Sequence, residues 1–223
     1  MLLKILNKIL DFLYPNKCIF CEEVMPMGEE ESICKYCYMN INFICDDKEP
    51  NLSVFYYDEA TRFSILRLKY NNQKQYAKVF AKIMYNKLTK IDLNKYDFII
   101  CVPMHSKKKK KRGYDQAEVI AKELSKLTNI PFEENNLIRT KNTLPQSKVS
   151  FEDRSKNVKG VFRVINPDNI KNKNILLIDD IYTTGNTINN CGKELKKAGA
   201  NSICYFTLAK VDYNKDLDDE YNT

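Results

Sequence analysis

The sequence predicts an α/β protein: a parallel sheet flanked by helices, with a small cysteine-rich module ahead of it. Three observations predict this. Residues 97–102 and 174–178 are continuous apolar runs, the pattern of strands covered on both faces. Segments with apolar residues at helical spacing alternate with such runs, as the connections of a parallel sheet do. Four of the eight cysteines form two CxxC pairs before residue 40, the spacing of a structural metal site.

Composition agrees. Of 223 residues, 43% are hydrophobic and 11% aromatic, which supplies a core and excludes disorder as the main state. No run approaches 18 consecutive apolar residues, so no membrane span is expected.

Residues 1–14 are apolar apart from positions 4, 7, 8 and 11, which share one helical face. The expectation is an amphipathic helix docked on the protein itself, with a membrane-surface helix as the alternative. Lys4, Lys8 and Asp11 interrupt any signal-peptide core, and no small-residue cleavage site follows. A chain that is not exported keeps its thiols reduced, which predicts a cytoplasmic protein whose cysteines bind metal rather than form disulfides.

Residues 15–50 carry the module. Cys18 and Cys21 pair with Cys34 and Cys37, and four thiolates on one ion complete a tetrahedral zinc-ribbon site with no open position for catalysis. Buried free cysteines and a redox pair are the alternatives. A module of this size builds little core, so the metal supplies folding energy. Gly28 is the expected hairpin turn and Cys45 an expected buried thiol; Cys101, Cys191 and Cys204 read as core. The acidic stretch ending in Pro50 marks the boundary with the next domain.

The main domain is expected over residues 51–211. Strands are predicted at 52–57, 97–102, 174–178 and 202–208, and helices at 73–90, 114–127 and 187–198. Tyr76, Val79, Phe80, Ile83, Met84 and Leu88 share the first helical face; Ala117, Ile120, Ala121, Leu124 and Leu127 share the second. Gly199 stands where a helix C-terminus wants it. Ligands of such sheets bind beyond the carboxyl ends of the strands, so three loops there matter.

The loop after residue 178 reads Asp179-Asp180-Ile-Tyr182-Thr183-Thr184-Gly185-Asn186-Thr187. A Thr/Gly turn into a helix offers free N–H groups and a positive dipole end to a phosphate. Two carboxylates would repel that phosphate directly and suit nearby hydroxyls instead, so the loop suggests a sugar phosphate. The second loop runs from Val102-Pro103-Met104-His105 through the basic run Lys107, Lys108, Lys109, Lys110, Lys111 and Arg112 to Gly113-Tyr114-Asp115-Gln116. A basic loop at a strand end suits pyrophosphate. The third, long and cationic, contains Arg139, Lys141, Pro145, Gln146, Arg154, Asn157 and Lys159, and is expected to be a mobile lid.

Residues 175–187 resemble the phosphoribosyl-pyrophosphate (PRPP) signature of type I phosphoribosyltransferases at every position except Tyr182, where an aliphatic residue is usual. That side chain either points at the bound sugar or packs. The order of the CxxC module, Val102-Pro103, Arg112-Gly-Tyr-Asp-Gln116, the Pro145-Gln146 loop and the PRPP loop resembles the ComF family over roughly residues 10–210. One departure is Asp115, where that family more often has Asn; its charge would oppose pyrophosphate unless compensated.

The resemblance implies a phosphoribosyltransferase-like domain binding PRPP with magnesium. Asp179 and Asp180 would hold the ribose hydroxyls, and Thr183, Thr184, Gly185, Asn186 and Thr187 the 5′-phosphate. Val102, Pro103, Met104, Lys111 and Arg112 would face pyrophosphate, with Arg139 and Lys141 stabilising it as it leaves. Magnesium, an oxygen-seeking ion, would bridge pyrophosphate and ribose. It also implies a role in DNA uptake during natural transformation. Transfer to a nucleobase or amine is one alternative; single-stranded DNA binding without transfer is another, because no nucleobase signature is visible and fold does not fix function.

Charge bears on that choice. The formal net charge is +7, but residues 1–50 hold 5 basic and 9 acidic side chains and residues 212–223 hold 1 and 5. Residues 51–211 therefore hold 30 and 15, a net +15 between acidic ends, the last an expected disordered tail. Such a domain favours polyanions, although abundant lysine also serves as plain solvated surface. In the DNA reading Lys107–Arg112 contact phosphates and Tyr70, Tyr76 and Tyr114 stack on bases. A helicase-like component of the uptake machinery is the implied protein partner.

Overall fold

A computed structural model describes residues 15–26, 32–70, 74–141 and 160–213. The expected N-terminal helix, the Gly28 turn, the lid residues Pro145, Gln146, Arg154, Asn157 and Lys159, and the tail from 214 lie outside the described residues. No described helix is long and apolar enough to cross a membrane.

The elements in chain order are α1 (Lys35–Asn40), β1 (Asn51–Tyr56), α2 (Glu59–Tyr70), α3 (Tyr76–Leu88), β2 (Phe98–Cys101), α4 (Ser106–Arg112), α5 (Gln116–Thr128), β3 (Leu137–Arg139), β4 (Phe162–Val164), β5 (Asn174–Tyr182), α6 (Asn186–Lys197) and β6 (Ser202–Lys210). The main sheet has the order β1-β6-β5-β2 with every pairing parallel. β3 and β4 form a separate antiparallel pair.

The apolar runs are central strands because both faces are covered. Leu176 and Ile178 of β5 join Cys204, Phe206 and Leu208 in a core shared with Phe80 and Met84 of α3 and Ile120 and Leu124 of α5. Ile175 and Leu177 point the other way, to Ile188, Cys191 and Leu195 of α6. The two-residue period of a strand and the 3.6-residue period of a helix thus meet on both sides of the sheet.

The cysteine module is fused to that core. Cys18, Ile19 and Phe20 are buried with Phe55 of β1, and the Phe20 and Phe55 rings meet edge-on at 5.6 Å. Arg67 of α2 donates from one nitrogen to the carbonyls of Ile19 and Phe20, each at 2.8 Å. Lys87 of α3 donates to the Ile44 and Ser53 carbonyls and pairs with Asp47.

Five expectations differ. Residues 59–70 form a helix that no apolar periodicity announced, because small polar Thr61 and Ser64 fill the buried positions beside Ile65 and Leu68. Its start is a reciprocal cap: the Thr61 N–H donates to Asp58 Oδ1, and the Asp58 N–H donates to Thr61 Oγ1, each at 2.9 Å. The basic run is a short helix rather than an open loop, begun by His105, whose Nδ1 accepts from the Lys107 N–H, and ended by Gly113 at φ 89°. β5 continues past 178 to Tyr182, so both aspartates stand on the strand itself. Cys45 is exposed rather than buried, because it sits where the chain turns off the module toward β1. Leu127 is 40% exposed, at the solvent edge of α5.

Candidate functional site

The centre of the site is the carboxyl end of β5. Asp180 is buried, and its Oδ2 meets the Lys69 ammonium of α2 at 2.6 Å and accepts from the Gln116 amide at 2.9 Å. Burial pushes the Asp180 carboxyl up, but Lys69 and Gln116 outweigh it and hold it below the usual carboxylate range. Lys69 is held above its ordinary value by the same pair, against its own burial. The Asp179 carboxyl goes the other way: burial and the neighbouring Asp180 charge push it well up. Its Oδ1 accepts the Asp180 N–H at 2.8 Å. Adjacent carboxyls with opposite shifts offer one ionised acceptor and one group ready to share a proton, which suits a vicinal diol.

The turn after β5 is built for close backbone approach. Gly185 has φ 71°, and a Cβ there would lie 2.3 Å from the Tyr182 hydroxyl and 2.7 Å from the Asn189 amide nitrogen. Tyr182 therefore packs beneath the turn and against the core of α6. Gly185 is also the N-terminal cap of α6, with no side-chain cap bond, so the first N–H groups of that helix face the turn. The Thr184 hydroxyl oxygen is buried without a hydrogen-bond partner. A buried polar atom of that kind calls for a ligand, and the cradle as a whole fits a phosphate.

The second loop lies alongside. β2 pairs with β5 up to Cys101 opposite Ile178, and the Val102 N–H donates to the Ile178 carbonyl at 2.8 Å. Pro103 and Met104 continue past this point. Asp115 is buried with both oxygens engaged: one accepts the Met104 N–H at 2.7 Å, the other the Ala117 and Glu118 N–H groups that start α5. Burial raises its carboxyl above the usual range. It is a cap that ties the loop to α5, which resolves the charge conflict its sequence position suggested.

The cations divide into two sets. Burial first, then the charges of Arg139 and Arg112, lower the Lys108 ammonium from its ordinary value, so these three groups are within electrostatic reach of one another. Arg139 on β3 is within reach of Asp179 as well, and stacks on Phe162 at 5.4 Å. Arg112 also donates to Gln116. This convergence of cations beside a carboxylate suits an anionic ligand carrying a divalent cation. Lys109 is tied to Glu118, while Lys107, Lys110, Lys111 and Lys141 are exposed. Tyr76 and Tyr114 are buried and offer no stacking face, contrary to the expectation for base contacts; Tyr114 donates to the Leu68 carbonyl. The only histidine of the sequence, His105, serves as the cap of α4.

Sequence reasoning missed Lys69 as a site residue. A lysine in the last turn of a helix reads as a dipole partner, and only the packing of α2 on the sheet brings it to Asp180. Gln116 was visible in the motif but carried no assigned role.

The second cluster is the cysteine site. The four sulfurs of Cys18, Cys21, Cys34 and Cys37 lie within 4.8 Å of one another, and Cys21 and Cys34 are 3.7 Å apart. A tetrahedral site with metal–sulfur bonds of about 2.3 Å needs about 3.8 Å between sulfurs. The Cys34 N–H points at the Cys18 sulfur and the Cys37 N–H at the Cys34 sulfur, each at 3.4 Å. Burial pushes the Cys18 thiol up, but N–H groups of Cys21, Cys34 and Phe20 outweigh it and bring it to about 7. The donor set fits a soft divalent ion bound through thiolate.

A parallel sheet with paired carboxylates, a Thr-Gly turn and a converging cation cluster defines a phosphoribosyltransferase-type domain. The family model for the phosphoribosyl transferase domain matches residues 68–223, and the chain belongs to that family. Within it, the chain falls in the ComF group. It is 30% identical over 176 residues to competence protein F of Haemophilus influenzae, covering 75% of this chain and 77% of that one. It is 27% identical to competence protein ComFC of Bacillus subtilis, over 80% of this chain and 72% of that one. It is 25% identical to DNA utilization protein YhgH of Escherichia coli O157:H7, over 69% and 70%. Among solved structures, the glutamine PRPP amidotransferase of B. subtilis overlays 64% of this chain and 30% of its own, with TM-score 0.44 and 16% identity.

Proposed function

We propose that this protein binds PRPP with magnesium at the carboxyl end of β5 and uses that site in handling DNA during its uptake. The observation that carries the reading is the join of Asp179 and Asp180 to the Gly185 turn, where an orphaned Thr184 hydroxyl awaits a partner. In this arrangement Asp180, kept ionised by Lys69, accepts from a ribose hydroxyl. Asp179 shares a proton with the other. Thr183, Thr184, Asn186, Thr187 and the first N–H groups of α6 hold the 5′-phosphate. Lys108, Arg112 and Arg139 face the pyrophosphate, with Lys111 and Lys141 at the rim. Magnesium, held by oxygens of the ligand, would neutralise the pyrophosphate. The cysteine site would carry zinc as a structural ion. The protein would act in the cytoplasm, where its thiols stay reduced. The DNA role rests on the names of its relatives, competence protein F, ComFC and YhgH.

Calorimetric titration with PRPP and magnesium tests the site. Saturable binding is expected, lost in the Asp179→Asn/Asp180→Asn double variant; no heat from the parent chain rejects the reading. Two further readings share the same samples. Pyrophosphate release in the presence of a nucleobase or amine, abolished by that variant, indicates transfer. Exposed Lys107, Lys110 and Lys111 favour a direct phosphate contact with single-stranded DNA. Binding to an oligonucleotide that survives the aspartate changes but fails when those lysines are neutralised supports it.

A further inference from the structure

Away from this site, a groove of about 660 Å³ runs along the seam between the cysteine module and the outer face of α3. Its floor is largely aliphatic: Ile33, Phe43, Ile44, Val54, Val79 and Ile83. One wall is a lysine ladder. Lys78, Lys82 and Asn86 repeat at four-residue steps on α3, and Lys90 follows just past its end; all four are exposed. Among the described residues, no ion pair engages Lys78, Lys82 or Lys90, whereas Lys87 on the same helix is consumed by Asp47 and two carbonyls. The apolar surface continues onto α1, where Tyr36, Tyr38 and Met39 are 74%, 62% and 73% exposed. Exposed apolar area of this size beside ordered charge marks an interaction surface.

We propose that this groove docks an amphipathic helix of a partner protein, with carboxylates flanking its apolar stripe. Spacing and charge both select it. An aliphatic trough takes the i, i+3, i+4, i+7 stripe of a helix, and lysines one turn apart match Asp or Glu one turn apart. The other occupants fit less well. Single-stranded nucleic acid would find stacking faces in Tyr36 and Tyr38 but would leave the branched aliphatic floor unfilled. A helix over the chain's own residues 1–14 carries Lys4 and Lys8 against Asp11 alone, so it lacks the acidic flanks that the lysines match. A second copy would bring a like-charged wall against this one.

The test uses the full chain, labelled with nitrogen-15, and a synthetic helical peptide with a leucine stripe flanked by glutamates. Binding on the order of 10 µM is expected, weakened by salt, with shifts confined to α1, α3 and residues 33–45. Lys78→Glu/Lys82→Glu should cut affinity at least tenfold, while a lysine-flanked version of the peptide should bind only the charge-reversed variant. Ile83→Glu should abolish binding of the acidic peptide, and unchanged amide shifts outside the groove show that each variant keeps its fold. The proposal fails if the acidic peptide does not bind, if shifts map to the basic helix α4 instead, or if the charge reversal leaves affinity unchanged. It also fails if the groove proves filled otherwise: a thymidine oligonucleotide displaced by the same lysine changes, methyl contacts from residues 1–14 onto Ile83, or a dimer that Ile83→Glu dissociates.

Discussion

At the scale of single residues, Lys69 decides the electrostatics of the site. It is the cation that lets Asp180 stay ionised while buried, with side-chain exposures of 17% and 10%. Removing one partner of a buried pair strands the other charge, at a cost of about 3 kcal/mol. Lys69→Met should therefore lower unfolding free energy by about that amount at neutral pH and weaken PRPP binding. The sign with pH follows from the depressed Asp180 carboxyl. A group depressed in the folded state contributes stability above its unfolded value of about 4 and loses it as pH falls through the folded value. The gap between parent and variant should therefore close in acid, and Lys69→Met/Asp180→Asn should recover stability without recovering binding. Urea unfolding from pH 3 to 8 checks both; a gap independent of pH would show that Lys69 acts by packing alone. Tyr182 belongs to the same scale. The sequence left it facing either the sugar or the core, and the absent Cβ of Gly185 is what lets it pack beneath the turn.

At the scale of elements, α5 is the arm that holds the loop after β2. Asp115 caps its first turn and takes the Met104 N–H with its other oxygen, so a single buried carboxyl joins loop to helix. Asp115→Ala loses a cap, about 1 kcal/mol, and also frees the loop. Asp115→Asn keeps one accepting oxygen, enough for the cap of α5 or for the Met104 N–H but not for both. The expected order of PRPP affinity and of thermal midpoint is parent, then Asn, then Ala, measured by calorimetry and melting. An alanine variant that binds as tightly as the parent would remove Asp115 from the loop's support. The basic run shows why an element can be misread from composition: six consecutive cations carry no apolar period, yet His105 and Gly113 close both ends of a helix.

At the scale of the molecule, the cysteine module and the sheet share one core. Ile19 and Phe20 lie between the CxxC pairs and Phe55, and Arg67 fastens that turn to α2. Metal binding of this kind is worth roughly 10 kcal/mol to a small module, so its loss should be felt throughout. Metal analysis should give one zinc per chain. Cys21→Ser, or a strong chelator, should lower a single thermal transition by at least about 10 °C. Two separate transitions, with the upper one unmoved, would mean the module melts alone.

Local chemistry was legible in the sequence alone. The CxxC spacing, the apolar runs, the Thr-Gly turn and the paired aspartates are features of adjacent residues, and spacing along the chain is enough to announce a metal site, a buried strand or an anion cradle. Contacts between distant residues were not legible. Lys69 stands 111 positions from Asp180, and no pattern within α2 says what its lysine will face. The burial of Tyr76 and Tyr114, the exposure of Cys45 and the lysine-walled groove likewise depend on which helix covers which face of the sheet. The sequence by itself determined the family of the fold and singled out the four cysteines, the paired aspartates and the Thr-Gly turn. Only the tertiary structure decided their charge states and neighbours, because burial and through-space electrostatics arise between segments that packing alone brings together.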